Sequence, residues 1–142
     1  MLKHLLIAVA VATLGTAMAY SNQSTNTLVI PAHRTAPNNG QQMYASYCAP
    51  CHGTDGKGNG PAASALKARP TDLTCLRKNN HGKFPDTHIV SVLQFGAENQ
   101  VHYRAEMPDW GPILGKMNQS NPQERLLRIS NLSRYLDNLQ VR

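Results

Sequence analysis

The sequence predicts an all-α domain, and three observations carry that prediction. Tyr44, Tyr47 or Cys48, and Cys51 recur at three- and four-residue steps. The C-terminal stretch combines a helix-start signal with a long apolar stripe. No alternating strand pattern or internal repeat interrupts the chain.

Taken in order, Met1 to Ala19 has a basic start at Lys3 and His4, an apolar run from Leu5 to Leu14, and Ala17 and Ala19 around Met18. That is the pattern of a secretory signal cleaved after Ala19. The apolar run is shorter than the roughly twenty residues a spanning helix needs, so a retained anchor is the weaker alternative. Cleavage leaves residues 20–142, enough for one compact domain. The whole chain has a formal net charge of +6. It loses only Lys3 from that balance and stays basic, which favours acidic protein faces or anionic lipid as partners. No dense basic run supports a nucleic-acid role. Export also means that three free thiols call for an explanation.

Residues 20–39 are rich in Ser, Asn, Thr, Gln and Pro, with only Leu28, Val29 and Ile30 as an apolar run, and read as a poorly ordered leader or a surface-hugging segment. A helix is expected from Gly40 to about Gly53, presenting Cys48 and Cys51 on one side. The glycine-rich stretch from Gly53 to Gly60 lacks the Gly-Lys-Ser/Thr of a phosphate-binding loop and is read as a tight loop passing close to a buried object. Pro61 is suited to open a short helix through Ala65 and Leu66, ended by Pro70, and Thr71 to Thr74 read as a turn. A helix is predicted from Asp86 as N-cap through Ile89, Val92 and Leu93 to Gly96. From Ala97 to Asn118, Pro108, Gly111, Pro112 and Gly115 break any periodic run, so a long binding loop is expected. The last helix has Asn121 as cap, Pro122 at its first position and Glu124 behind the cap. Its expected buried stripe is Leu126, Ile129, Leu132, Tyr135, Leu136 and Leu139.

Cys48-Ala49-Pro50-Cys51-His52 is the Cys-x-x-Cys-His pattern of haem c attachment. Two thiols at this spacing can add to the two haem vinyl groups, and the next residue then lies under the iron, where His52 is the proximal ligand. Attachment accounts for Cys48 and Cys51 in an oxidising compartment. Three rivals are weaker. A thioredoxin-type dithiol needs a βαβ context. A zinc site from Cys48, Cys51, Cys75 and His81 lacks a second tight ligand pair. A Cys48–Cys51 disulfide closes too short a loop to stabilise much.

For the sixth iron position Met107 is the best candidate, in the irregular loop and beside the stiff Pro108. A thioether there favours reduced iron and raises the potential. Met117 is the runner-up, while Met43 sits on the attachment helix and has no reach to the opposite face. His81 and His102 are kept as alternative ligands, and His33 and His88 are read as surface histidines. Trp110 is a core residue within reach of a haem propionate. Lys57, Lys67, Arg69, Arg77, Lys78 and Lys83 are read as solvated, a subset of them able to steer an acidic partner.

At these residues the chain resembles the class I c-type cytochromes, and more narrowly the bacterial exported monohaem cytochromes. Gly40, Tyr44 and Cys48 resemble that family's first helix, whose glycine lets the last helix cross closely, and Tyr135 matches the aromatic position packed on that glycine. Further matching segments are Gly53 with Asp55-Gly56-Lys57-Gly58, Gly60-Pro61-Ala62, Pro70-Thr71-Asp72-Leu73-Thr74, Gly82-Lys83-Phe84-Pro85 and Glu106-Met107-Pro108-Asp109-Trp110-Gly111. The resemblance covers Gly40 to about Leu139, within a cytochrome c domain taken as residues 40–142. It implies a small fold of helices and loops wrapped around one haem c, with Met107 as axial ligand. It also implies a proline carbonyl, from Pro61 or Pro70, that accepts a bond from His52. Two features depart from the family pattern: a longer segment from Gly111 to Asn121, and Cys75. Burial is the default for Cys75, with pairing to a second chain or contact with a partner as alternatives.

The expected protein is a periplasmic monohaem cytochrome c that carries single electrons between redox proteins. It has no nucleophile, acid/base pair or substrate pocket legible in its sequence, hence no catalytic residues are assigned. The alternatives are an electron-relay haem subunit of a larger oxidoreductase, in sulfur or nitrogen oxidation for example, and a haem sensor with an open sixth site.

Overall fold

A computed structural model describes residues 33–96 and 106–141. Among these residues all regular structure is helical. Three consecutive segments run on as one helix, α1: Gly40–Met43, a π-helical turn Tyr44–Cys48, and Ala49–His52. A short α2 spans Leu76–Asn79, followed by α3 at Asp86–Phe95, α4 at Trp110–Lys116 and α5 at Pro122–Asn138. Two 3-10 turns, Ala63–Ala65 and Leu73–Cys75, punctuate the segment between α1 and α2.

Helix α5 is the organiser, because α1, α3 and α4 all pack on it. It starts as its sequence dictates: the Asn121 side chain accepts from the Gln123 N–H and Pro122 takes the first turn. Ile129, Leu132 and Leu136 are buried as predicted, with Tyr135 and Leu139 partly so. Leu126 does not join them, being 44% exposed, and the neighbouring buried position is Arg128 at 1%. The core face is thus rotated toward Arg128, whose guanidinium is matched by Glu124 and by Thr35.

Where α1 crosses α5, Gly40 is held against the other backbone. A Cβ there would stand 2.3 Å from the Asn131 carbonyl oxygen and 2.9 Å from Tyr135 Cβ. Tyr135 in turn meets Tyr44 with ring centroids 5.2 Å apart. Gly40→Ala is therefore expected to push the two helices apart at a cost of about 1–3 kcal/mol, the usual range for overpacking. A thermal melt checks this; an unchanged melting temperature would mean the crossing is looser than described.

The packed domain begins upstream of Gly40. Thr35 is buried, its hydroxyl is 2.7 Å from Tyr47 Oη, and the Tyr47 hydroxyl also lies 2.6 Å from the His33 carbonyl. Arg34 donates to the Met117 carbonyl, and Asn131 donates to the Pro37 carbonyl. Residues 33–39 therefore pack as part of the domain, upstream of the boundary expected at Gly40.

Three other expectations change. The stretch expected as irregular contains α4, because Trp110 and Leu114, four residues apart, both turn into the core. Pro112 is tolerated within its first turn. Asp86 does not cap α3 with its side chain; its carboxylate instead accepts from the Ser133 hydroxyl of α5 at 2.6 Å. The short helix expected from Pro61 is reduced to the turn Ala63–Ala65, and Thr71 to Thr74 lead into 3-10 turn and α2.

Candidate functional site

The last turn of α1 carries Cys51 and His52, and its carbonyls point out of the helix end, where they need donors. The glycine-rich loop supplies them. Gly58 N–H donates to the His52 carbonyl at 2.8 Å, Gly60 N–H to Cys51 at 3.0 Å and Ala62 N–H to Pro50 at 2.8 Å. Such a return path brings Gly60 so close that a Cβ would lie 2.4–2.5 Å from the Pro50 and Ala49 oxygens. Tyr44 closes the same corner by donating to the Gly53 carbonyl at 2.7 Å. The loop is thus a C-terminal clamp on the helix that bears the motif.

Beyond this clamp lies a cavity of about 440 Å³, within the range of ligand and cofactor sites. Tyr47, Cys48, Cys51 and His52 form one wall, and Met107 and Trp110 reach it from the segment before and into α4. Between them stand Leu66, Leu73, Leu76, Ile89, Val92, Leu93 and Leu136, an apolar lining suited to a flat hydrophobic group. Trp110 is buried and lies with its ring 5.5 Å from that of Tyr47.

His52 is oriented by a bond from Nδ1 to the Thr71 carbonyl at 2.9 Å. A carbonyl only accepts, so Nδ1 carries the proton and Nε2 keeps its lone pair. The acceptor is Thr71, in place of the Pro61 or Pro70 carbonyl expected from the resemblance. Pro70 does line the cavity, but Pro61 is exposed and does not. Pro70 is instead held against Gly58, where its carbonyl is 2.1 Å from a notional Cβ. Burial pushes the imidazole below its ordinary pKa, against the opposing pull of the Thr71 bond, and so keeps it neutral as a metal ligand must be.

Cys48 and Cys51 are both buried and unpaired. Burial, with a lesser contribution from Cys51, pushes the Cys48 thiol up to about 12, and burial also raises Cys51. Redox-active dithiols have depressed values, so this environment does not suit the thioredoxin-type reading. The zinc reading fails on geometry. Among the described residues no group of three or more His, Cys, Asp or Glu is placed to hold a metal ion. His81 is exposed, at φ +53°, and outside the cavity lining.

The methionines separate cleanly. Met43 is fully buried in the core behind α1, and Met117 is buried with its sulfur 3.4 Å from Tyr47 Oη. Neither lines the cavity, whereas Met107 does. His102 lies outside the described residues. His88, read as a surface residue, is exposed yet also contributes to the cavity rim. Cys75 is half-buried, with its sulfur 3.7 Å from Asp72 Oδ2 and no disulfide.

Tyr47 and Thr71 are the site residues the sequence did not single out in these roles. Tyr47 sat on the predicted helical face, and its hydroxyl links that face to the leader. Thr71 acts through its main chain, which leaves no trace in side-chain type. Taken together, two thiols on one wall, a neutral half-buried imidazole, a thioether and an apolar lining fit a covalently held haem.

A family model described as cytochrome C oxidase, cbb3-type, subunit III matches residues 35–120. No match is found among curated proteins.

Proposed function

The chain belongs to the cytochrome C oxidase, cbb3-type, subunit III family, a class I c-type cytochrome domain that transfers electrons with haem, and from that premise we propose that it is a periplasmic carrier of single electrons. One haem c would be held there, bonded through Cys48 and Cys51, with His52 and Met107 as the ligands to its iron. The observation that carries this reading is that all four side chains line one apolar cavity. Haem supplies a site that takes up and returns one electron. The residues' part is to hold its surroundings constant through that cycle.

His52 does so through Thr71, which fixes the ring's tautomer and direction. Met107 contributes a soft sulfur that favours the reduced state. Trp110 and Tyr47 exclude water behind the ligands, which limits reorganisation when the charge changes. Pro70 borders the group, and Pro61 acts only through the loop that clamps α1. The exposed Lys57, Lys67 and Arg69 beside the cavity suit an acidic face on a donor or acceptor. Residues 1–19 act as an export signal removed after Ala19. No described helix is long and apolar enough to cross a membrane.

Met107→Ala tests the reading. The ferric protein is expected to lose the weak methionine-to-iron charge-transfer band, and the ferrous protein to bind carbon monoxide, which the parent resists. Retention of the band would rule out Met107. A second reading, a relay subunit within a larger oxidoreductase, is favoured by the family's own description as an oxidase subunit. Co-purification at a fixed stoichiometry from native membranes supports it, and isolation as a lone periplasmic chain supports the free carrier.

A further inference from the structure

Glu106, next to the proposed sixth ligand, accepts a bond from the Lys67 main-chain N–H at 2.5 Å through Oε2. The two residues are 39 positions apart, and both are exposed, so this contact spans the cavity mouth instead of belonging to the core. Lys67 lies in a segment fixed at both ends. Ala62 N–H is bonded to the Pro50 carbonyl, and Thr71 holds the His52 imidazole. On the other side of Met107, a Cβ on Gly96 would stand 2.2 Å from Asp109 Oδ1, so Asp109 is seated against the end of α3. The next residue, Trp110, is buried against Tyr47.

We propose that Glu106 is a positioning residue that clasps the Met107 segment to the Lys67–Thr71 segment, so that one continuous set of bonds supports both axial ligands. This rests on Met107 being the sixth ligand. The C-terminal side of the methionine is fixed by packing at Asp109 and Trp110. On its N-terminal side, the described polar tie is the Glu106 carboxylate. A thioether binds iron weakly and holds its place by being kept near it, so its competition with outside ligands depends on how rarely the segment opens. Breaking a hydrogen bond to a charged acceptor makes that opening easier by roughly tenfold.

The test is imidazole binding to the ferric holoprotein, followed by loss of the charge-transfer band. Glu106→Ala is expected to raise imidazole affinity roughly tenfold, scaled from the cost of the lost charged bond. Glu106→Gln, which keeps an acceptor oxygen but no charge, is expected to stay within about twofold of the parent. The double variant Met107→Ala/Glu106→Ala is expected to match Met107→Ala alone, since the clasp then holds nothing that competes. Parent-like binding by Glu106→Ala overturns the clasp, as does Glu106→Gln behaving like Glu106→Ala, which would assign the effect to surface charge. Parent-like binding by Met107→Ala overturns the ligand reading itself and the clasp with it. Far-UV circular dichroism on each holoprotein separates these outcomes from misfolding.

Discussion

Replacing Cys48 and Cys51 together by alanine is expected to leave the exported chain without covalently held haem, seen as loss of haem-dependent peroxidase staining after denaturing electrophoresis. Both thiols sit on the wall of the cavity, three residues apart on the last turns of α1. Neither has another role: both are unpaired, and burial keeps both protonated. A single replacement is expected to leave one thioether and a stained band of lower yield. The structural consequence is also large. Without its occupant, the apolar lining of this half-open cavity of about 440 Å³ is left facing water. The haem-free variant is therefore expected to show weakened helical circular dichroism. Full staining of the double variant would show that the haem is attached elsewhere.

Arg128→Met is expected to have the largest effect on stability outside the haem site, about 3 kcal/mol, measured as a lower urea midpoint with unchanged slope. The guanidinium is 1% exposed. It donates to Glu124 Oε1 from Nε at 3.0 Å and from Nη2 at 2.6 Å, and to the Thr35 hydroxyl and carbonyl at 3.1 and 2.8 Å. Methionine fills much of the same space but leaves the Thr35 carbonyl and the carboxylate without these donors. The substitution also removes the ties of Thr35 to α5, leaving the bond from Asn131 to the Pro37 carbonyl. Asn118 and Arg128 hold the Glu124 carboxyl below its ordinary range, Asn118 most strongly. The folded state therefore keeps Glu124 ionised to lower pH than the unfolded chain does. Its contribution is present above the ordinary carboxylate range and is lost as pH falls through the depressed value. Removal of Arg128 should soften that acid-side decline. Arg134→Met, on the exposed face of the same helix, is expected to change stability by less than about 0.5 kcal/mol. Equal effects at the two positions would refute the role given to Arg128.

Much of the site could be read from residue types, because haem attachment demands particular atoms at a particular spacing. Cys48, Cys51 and His52 stand out for that reason, and the capped start of α5 for a similar one: Asn121 and Pro122 each satisfy a local need of the backbone. Met107 is distinguishable from Met117 by its setting and by the family resemblance, and of the two only Met107 lines the cavity. What escaped the sequence depends on tertiary partners. Trp110–Lys116 carries two glycines and a proline, so its helicity rests on burying Trp110 and Leu114, which no local signal announces. Arg128 lies outside the expected buried stripe, and its burial depends on Thr35 and Glu124 around it. Leu126 yields its expected place in the core for the same reason. The acceptor for His52 is a main-chain oxygen, and the fold delivers that of Thr71, where the family resemblance implied the carbonyl of Pro61 or Pro70.

The most direct test of the proposed haem site is the intact mass, under denaturing conditions, of the protein purified from a periplasmic extract. The expected mass is that of residues 20–142 plus one haem. A bare-chain mass from protein matured in a host able to attach haem c would contradict the assignment of Cys48, Cys51 and His52 as its anchor.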